Sequence, residues 1–138
     1  MKLRLPAALL LCLVSSAALA QIKVGVIYSA TGPTAVVGIP QKNTVALLPQ
    51  KIGDLSVEYI HFDDASDATQ AVQLAKKLIG EQKIDALIGT TGSPSAMAVL
   101  PFVAEAGVPM LAPVGTPAVV LPMDEKKRWV YKTTQNDG

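Results

Sequence analysis

Short apolar runs alternate with helix-like segments along most of this chain, and no other sequence feature constrains the fold as much. Strand-like runs lie at 22–28, 55–62, 84–88, 108–112 and 128–132, and helical patterns lie between them at 40–48, 71–79 and 94–106. Strands separated by helices favour a parallel sheet, because the chain must cross back over the sheet before the next strand. The sequence therefore predicts an α/β fold with helices on both faces of a parallel sheet.

Two loops that follow predicted strands are rich in hydroxyl groups. The loop at 89–95 carries Thr90, Thr91, Ser93 and Ser95 at the start of a predicted helix, and the loop at 112–116 ends on Thr116. Backbone N–H groups at a helix start favour a carboxylate, and strand-end carbonyls with a hydroxyl suit an ammonium group. Ordinary strand-to-helix turns also use small residues, so the pattern leaves both interpretations open.

Catalytic and metal-binding signals are weak. Asp63, Asp64 and Asp67 follow the second strand, but their spacing lacks the glycine and distal glutamate of a calcium loop, which favours a turn and a helix cap. His61 is the one histidine, and no nucleophile elbow or phosphate-binding glycine loop occurs. We expect neither enzymatic activity nor a cofactor or metal.

Composition narrows the function classes further. The chain has 138 residues, enough for one domain with a core, and its 12 basic and 11 acidic side chains form no block of like charge. Nucleic-acid binders normally show a basic stripe, so nucleic acid is not an expected partner. The single cysteine, Cys12, excludes an internal disulfide and a structural zinc site.

Residues 1–20 read as a secretory signal peptide. Lys2 and Arg4 precede an apolar run, and Ala18 and Ala20 frame a small-x-small cleavage site. Cys12 lies inside the apolar run and follows Leu11, whereas lipid attachment needs a small residue there. We therefore expect cleavage after Ala20, a periplasmic location, and one domain over 21–138.

The order and spacing of several stretches resemble the N-terminal part of substrate-binding proteins of ABC importers, of the branched-chain-amino-acid type. The stretches that carry the resemblance are 22–27, 31–33, 38–43, 63–67, 71–78, 84–89, 104–109 and 129–137. The resemblance implies the first lobe of a type I periplasmic binding protein fold, which captures an amino acid or related small carboxylate. It also implies an ABC permease in the inner membrane as partner.

The resemblance also assigns candidate ligand-binding residues. Ser93 matches the family serine that contacts the ligand carboxylate, while the Val114 carbonyl and Thr116 match the groups that hold the ammonium. Thr34 and Ala35 match the loop after the first strand, which lines the cleft. Val114 is bulkier than the family pattern requires, and we expect it to narrow or reshape the pocket.

Two other functions remain open. The same fold serves as a ligand-sensing lobe in amide and amino-acid sensors, and a secreted α/β enzyme is a further alternative. Family members continue far past 137 into a second lobe, so the resemblance implies an incomplete first lobe here. We expect the 138-residue chain by itself to bind ligand poorly and to aggregate, because it would leave a ligand half exposed and apolar surface uncovered.

The first testable prediction concerns export. Material secreted from cells that express this chain is expected to begin at Gln21, because the cleavage pattern ends at Ala20. N-terminal sequencing checks this, and a secreted product that starts before Ser16 would contradict it.

Overall fold

The computed structural model describes residues 21–137, so the signal-peptide prediction lies outside the described part of the chain. The elements alternate as the sequence predicts. In chain order they are β1 (Gln21–Tyr28), α1 (Ala35–Val45), β2 (Lys51–Ile52), β3 (Leu55–Asp63), α2 (Ala68–Lys77), β4 (Ala86–Ile88), α3 (Ser93–Ala106), β5 (Met110–Ala112) and β6 (Val130–Lys132).

The strands form a six-stranded sheet in the order β2-β3-β1-β4-β5-β6. Four neighbouring pairs are parallel, which confirms the predicted sheet. The pair β2–β3 is antiparallel and was missed, because a strand of two residues has no detectable alternation. β1 lies between β3 and β4, so the chain first winds to one side of β1 and then to the other.

Helices cover both faces of the sheet, as predicted, but unequally. α2 and α3 pack together on one face, and the core there includes Ile27, Leu78, Leu87, Val99 and Met110. α1 alone covers part of the opposite face, where a smaller core gathers Val24, Val26, Tyr28, Val45 and Val57. On that face Leu111 of β5 and Tyr131 of β6 stay 42% and 59% exposed.

α1 departs from the predicted helix at 40–48. It begins earlier, at Ala35, and it ends at Val45, with Pro40 inside it. The Thr34 carbonyl accepts the first helical hydrogen bonds, from the N–H groups of Val37 and Gly38. Proline fixes a φ that a helix accepts, and its missing N–H removes one hydrogen bond. Pro40 thus fits inside α1 at the loss of that hydrogen bond, whereas the sequence predicts a helix that starts at this residue.

Local sequence signals match the start of α2 and the end of α3 better than they match the bounds of α1. The Asp67 carboxylate caps α2 by accepting from the Gln70 N–H at 2.7 Å. The helical path then continues as a π turn, Leu78–Gln82, beyond the predicted end at residue 79. α3 ends at Gly107, which adopts the left-handed conformation that glycine accepts without strain. Across residues 21–137, no helix is both long and apolar enough to cross a bilayer.

α1 approaches the end of β1 through Gly38. A Cβ atom added at Gly38 would lie 2.0 Å from the carbonyl oxygen of Ser29, which belongs to the backbone and cannot rotate away. A side chain at this position would push α1 off the sheet. This glycine therefore sets the distance between α1 and the loops at the end of β1.

We expect Gly38→Ala to lower the free energy of unfolding by about 1–3 kcal/mol, because overpacking outweighs the small helix preference of alanine. Urea unfolding of the full chain measures the change. Gly80→Ala is the matched control, since a Cβ there meets no atom within 4 Å. Equal stability of Gly38→Ala and the parent chain would contradict the packing argument.

Candidate functional site

The loops that follow β1, β3, β4 and β5 lie along one edge of the sheet. These strands run parallel to one another, so their carboxyl ends share that edge. The chain reverses its winding direction at β1, next to β4, and the loops after these two strands diverge from that point. Ligands of open α/β sheets bind in the crevice at such a reversal. The topology therefore places a candidate site between these loops.

The carboxylate of Asp63, at the end of β3, joins the loops that follow β1 and β3. One Asp63 carboxylate oxygen accepts the N–H groups of Ala30 at 3.0 Å, Thr31 at 3.4 Å and Ala65 at 2.9 Å. Burial favours the neutral acid, but the hydrogen bonds outweigh it, so the pKa of Asp63 is lowered from its ordinary value. With Asp67 capping α2, the interpretation as turn and cap is confirmed. Among residues 21–137, no three His, Cys, Asp or Glu side chains converge on a metal site.

Asp64 is buried and also joins the loops that follow β1 and β3. Its Oδ1 accepts from the Ser29 hydroxyl and, at 3.0 Å, from the Ser66 N–H. Its other oxygen, Oδ2, is also buried and has no hydrogen-bond partner within the described chain. The Asp64 N–H in turn donates to the Tyr28 carbonyl at 2.9 Å. These bonds hold the end of β1 against the end of β3.

Thr34 belongs to this junction. Its backbone N–H donates to the Ser66 hydroxyl at 3.1 Å, and the two hydroxyls lie 2.7 Å apart. Ala35 follows as the first residue of α1, and its N–H donates to the Gly32 carbonyl at 3.2 Å. The side chain of Thr34 is therefore engaged in joining the β1 and β3 loops.

Ser93 lies at the opposite side of the edge, as the first residue of α3. Gly92 precedes it in an extended conformation, and no side chain caps the helix start. Pro94 adds no N–H there, so Ser93 itself supplies the hydroxyl and N–H nearest the helix terminus. The side chain is half-buried. This arrangement suits an anionic group at the positive end of the helix dipole.

The loop after β5 brings Val114 and Thr116 to the neighbouring strand end. The Val114 carbonyl accepts from the Thr134 hydroxyl, and the Thr116 hydroxyl accepts from the Ala118 N–H at 3.3 Å. The Val114 side chain is 2% exposed within the core on the α2 and α3 side of the sheet. Val114 is therefore packed into the core, and the expectation that it narrows or reshapes the pocket stays a prediction.

Two residues outside the predicted set join these loops. The Thr91 hydroxyl donates to Gln41 Oε1 at 2.7 Å, and Gln41 Nε2 donates to the Pro113 carbonyl at 3.3 Å. We call this arrangement the Gln41 bridge. Sequence reasoning counted Thr91 among the loop hydroxyls but gave Gln41 no role. The one available signal was a polar residue three positions after Gly38, on the same helical face.

Gln41 and Pro113 of the Gln41 bridge line a cleft of about 420 Å³ between α1 and the sheet. The cleft is mainly apolar, and its walls include Tyr28, Val45, Ile88 and Leu111. Burial, and then the charge of Asp63, raises the pKa of the Tyr28 hydroxyl. His61 is exposed, and its ring lies with its centroid 6.0 Å from that of Tyr28 at an interplanar angle of 51°.

Comparison with known proteins finds relatives that are similar in sequence and in structure. The sequence profile of a family described as periplasmic binding protein matches residues 21–137. The Leu/Ile/Val-binding protein homolog 6 of Brucella abortus (strain 2308) is 35% identical over 116 residues, which are 80% of this chain and 30% of that protein.

Solved structures agree with the sequence match. An extracellular ligand-binding receptor from Rhodopseudomonas palustris HaA2 is 45% identical, with a TM-score of 0.83 over 86% of this chain and 33% of that one. A solute binding protein of an ABC transporter from Rhodopseudomonas palustris BisB5, in complex with 3,4-dihydroxybenzoic acid, is 26% identical, with a TM-score of 0.77 over 84% of this chain and 32% of that one. The chain thus spans about a third of the length of these proteins.

We expect the stability of the chain to depend on pH through Asp63. Its folded-state pKa is lowered, so the ionised carboxylate stabilises the fold above about pH 4, and this contribution is lost as the pH falls through the folded pKa. Asp63→Asn should therefore lower the melting temperature at pH 7 and show a smaller further loss between pH 7 and pH 3.

Thermal unfolding followed by circular dichroism at the two pH values measures both effects. Asp54→Asn is the control, because Asp54 is exposed in the turn between β2 and β3. An unchanged pH dependence in Asp63→Asn would contradict the assignment.

Proposed function

Because this chain belongs to the periplasmic binding protein family, we propose that it forms a ligand-binding lobe of an extracytoplasmic solute-binding protein that serves an ABC importer. The observation that carries the proposal is the pairing of two adjacent strand ends. The loop after β4 presents Ser93 at a helix start, and the loop after β5 presents the Val114 carbonyl and Thr116. An anion site thus lies beside a set of acceptors for a cation.

This pairing suits a zwitterion. A ligand carboxylate accepts from the Ser93 hydroxyl and N–H, where the helix dipole adds attraction. A ligand ammonium donates to the Val114 carbonyl, which keeps a second lone pair beside its bond to Thr134, and to the Thr116 oxygen. Thr34 and Ala35 form the wall on the β1 side, and the engagement of Thr34 with Ser66 makes that wall rigid.

The proposed ligand class is an amino acid or a related small carboxylate. The relatives support this breadth, since one is named for Leu/Ile/Val and another is solved in complex with 3,4-dihydroxybenzoic acid. All of these molecules carry a carboxylate, which is the group that the start of α3 favours. The ammonium contacts distinguish amino acids from aromatic acids, so L-leucine and 3,4-dihydroxybenzoate are the two informative probes.

Tight capture requires more surface than this lobe offers. The chain spans about a third of the length of its relatives, and a ligand held on one strand edge keeps its other side in water. Hydrogen bonds to an exposed ligand trade nearly evenly with water. We therefore propose that a second lobe closes over the ligand in the periplasm, where a closed state is presented to an inner-membrane permease.

A sensing function is the second candidate. One relative is called an extracellular ligand-binding receptor, and the same site chemistry suits a sensor as well as an importer. Uptake of labelled ligand by cells with and without the gene separates transport from sensing. Either function is a binding function and needs no catalytic group.

We expect Ser93→Ala and Thr116→Ala each to weaken ligand binding about tenfold or more in the full-length protein. Each substitution removes a hydrogen bond to a charged group, worth about 1.5–3 kcal/mol. Calorimetric titration with L-leucine, and separately with 3,4-dihydroxybenzoate, measures the affinities. Thr116→Ala should affect L-leucine more, because the aromatic acid has no ammonium.

Thr69→Ala serves as the matched control, because Thr69 is exposed on α2 and far along the chain from both loops. Unchanged affinity in both site variants, with a parent protein that binds, would disprove the assignment of Ser93 and Thr116. A parent protein that binds neither probe would count against the ligand class.

A further inference from the structure

We propose that Gln41 is a positioning residue that holds the loops after β4 and β5 at a set separation, and so determines how the site fits the two ends of a zwitterion. The inference rests on the proposed function and adds a residue that touches no ligand. Gln41 contacts both loops with its single side-chain amide, at Thr91 and at Pro113.

The hydrogen-bonding capacities of the partners determine the orientation of the amide. The Pro113 carbonyl only accepts, so the NH₂ group of Gln41 must face it. The Thr91 oxygen already accepts from the Ser29 N–H at 2.9 Å, which leaves its proton free for Gln41 Oε1. Each group thus has a complementary partner, and a flipped amide would set Oε1 against the Pro113 carbonyl and lose that bond.

The framework beneath the Gln41 bridge is rigid. Thr91 is 8% exposed and Ser29 is fully buried, so the hydrogen bond from the Ser29 N–H to the Thr91 hydroxyl is shielded from water. Gly38, one helical turn before Gln41, lets α1 approach the Ser29 carbonyl closely. The position of the Gln41 amide therefore follows from backbone packing, and a shift of α1 would move both loops.

The connection to the site is short along the chain. Thr91 lies two residues before Ser93, and Pro113 is bonded directly to Val114. The Gln41 bridge therefore spans the two segments that carry the proposed carboxylate and ammonium contacts. Loss of the bridge should let these segments move independently, which weakens a ligand that must contact both.

The experiment compares variants of the full-length protein by calorimetric titration with L-leucine. Gln41→Met keeps the length of the side chain but removes both hydrogen bonds. Thr91→Val removes the hydroxyl with little change in shape, and with it the acceptor of the Ser29 N–H. We expect each to weaken binding about tenfold, as loss of one or two partly buried hydrogen bonds does. We expect the double variant to bind L-leucine about as tightly as the weaker-binding single variant, because both changes break the same bridge.

Two controls separate positioning from general damage. Thr91→Ser keeps the hydroxyl and should bind almost as well as the parent protein. Gln73→Met makes the same chemical change at an exposed position on α2 and should leave affinity unchanged. Additive losses in the double variant, or parent-like affinity in Gln41→Met, would overturn the proposal.

A ligand-independent measurement keeps this test apart from the proposed function. In ¹H–¹⁵N NMR spectra of the unliganded protein, Gln41→Met should shift the amide signals of both Ser93 and Val114, and Gln73→Met should shift neither. If the parent protein binds no probe, the proposed function fails while these shifts still support the Gln41 bridge. Unmoved signals in Gln41→Met would refute the positioning role whatever the protein binds.

Discussion

One buried residue, Ser29, directly follows the central strand β1. It contacts three other segments at the edge of the sheet that carries the candidate site. Its hydroxyl donates to Asp64 at the end of β3, and its N–H donates to Thr91 in the loop after β4. Its carbonyl lies against Gly38 of α1 so closely that no side chain fits between them. Since Ser29 is fully buried, water cannot replace any of these contacts, and the arrangement of the edge depends on them.

The order of the strands explains why this junction forms where it does. β1 is flanked by β3 on one side and β4 on the other, and the loops after all three end at the same edge. The carboxylates of Asp63 and Asp64 therefore reach the end of β1 from the β3 side, and the Thr91 hydroxyl reaches it from the β4 side. The polar groups of the junction satisfy backbone donors that the diverging loops would otherwise leave unpaired.

The site edge combines engaged and available polar groups. Thr34, Asp63 and Asp64 are committed to joining loops, and they make the β1 side of the crevice stiff. Ser93 begins α3 without a side-chain cap, and the Val114 carbonyl accepts one hydrogen bond, from Thr134, and these are the groups that we propose for the ligand. A binding protein needs this division, because ligand affinity is lost when the groups that hold it must first be ordered.

The sequence by itself determined the elements whose signals are local. Apolar runs marked β1 and β3, the Asp67 cap and helical spacing marked α2, and the helical pattern at 94–106 marked α3. α1 was placed incorrectly because its apolar residues do not form one face, as Val36 and Ile39 are 80% and 46% exposed. The positions of Ser93 and Thr116 at strand-end loops also followed from local pattern.

Tertiary structure decided which of these groups have partners. The pairing of Thr34 with Ser66, of the Val114 carbonyl with Thr134, and of Gln41 with two loops joins residues that are distant along the chain. Such pairs depend on strand order and on the close approach of α1 at Gly38, and neither is encoded in the periodicity of a single element. Hydrophobic pattern specifies which face of an element is buried, but only the packed sheet decides which polar ends meet.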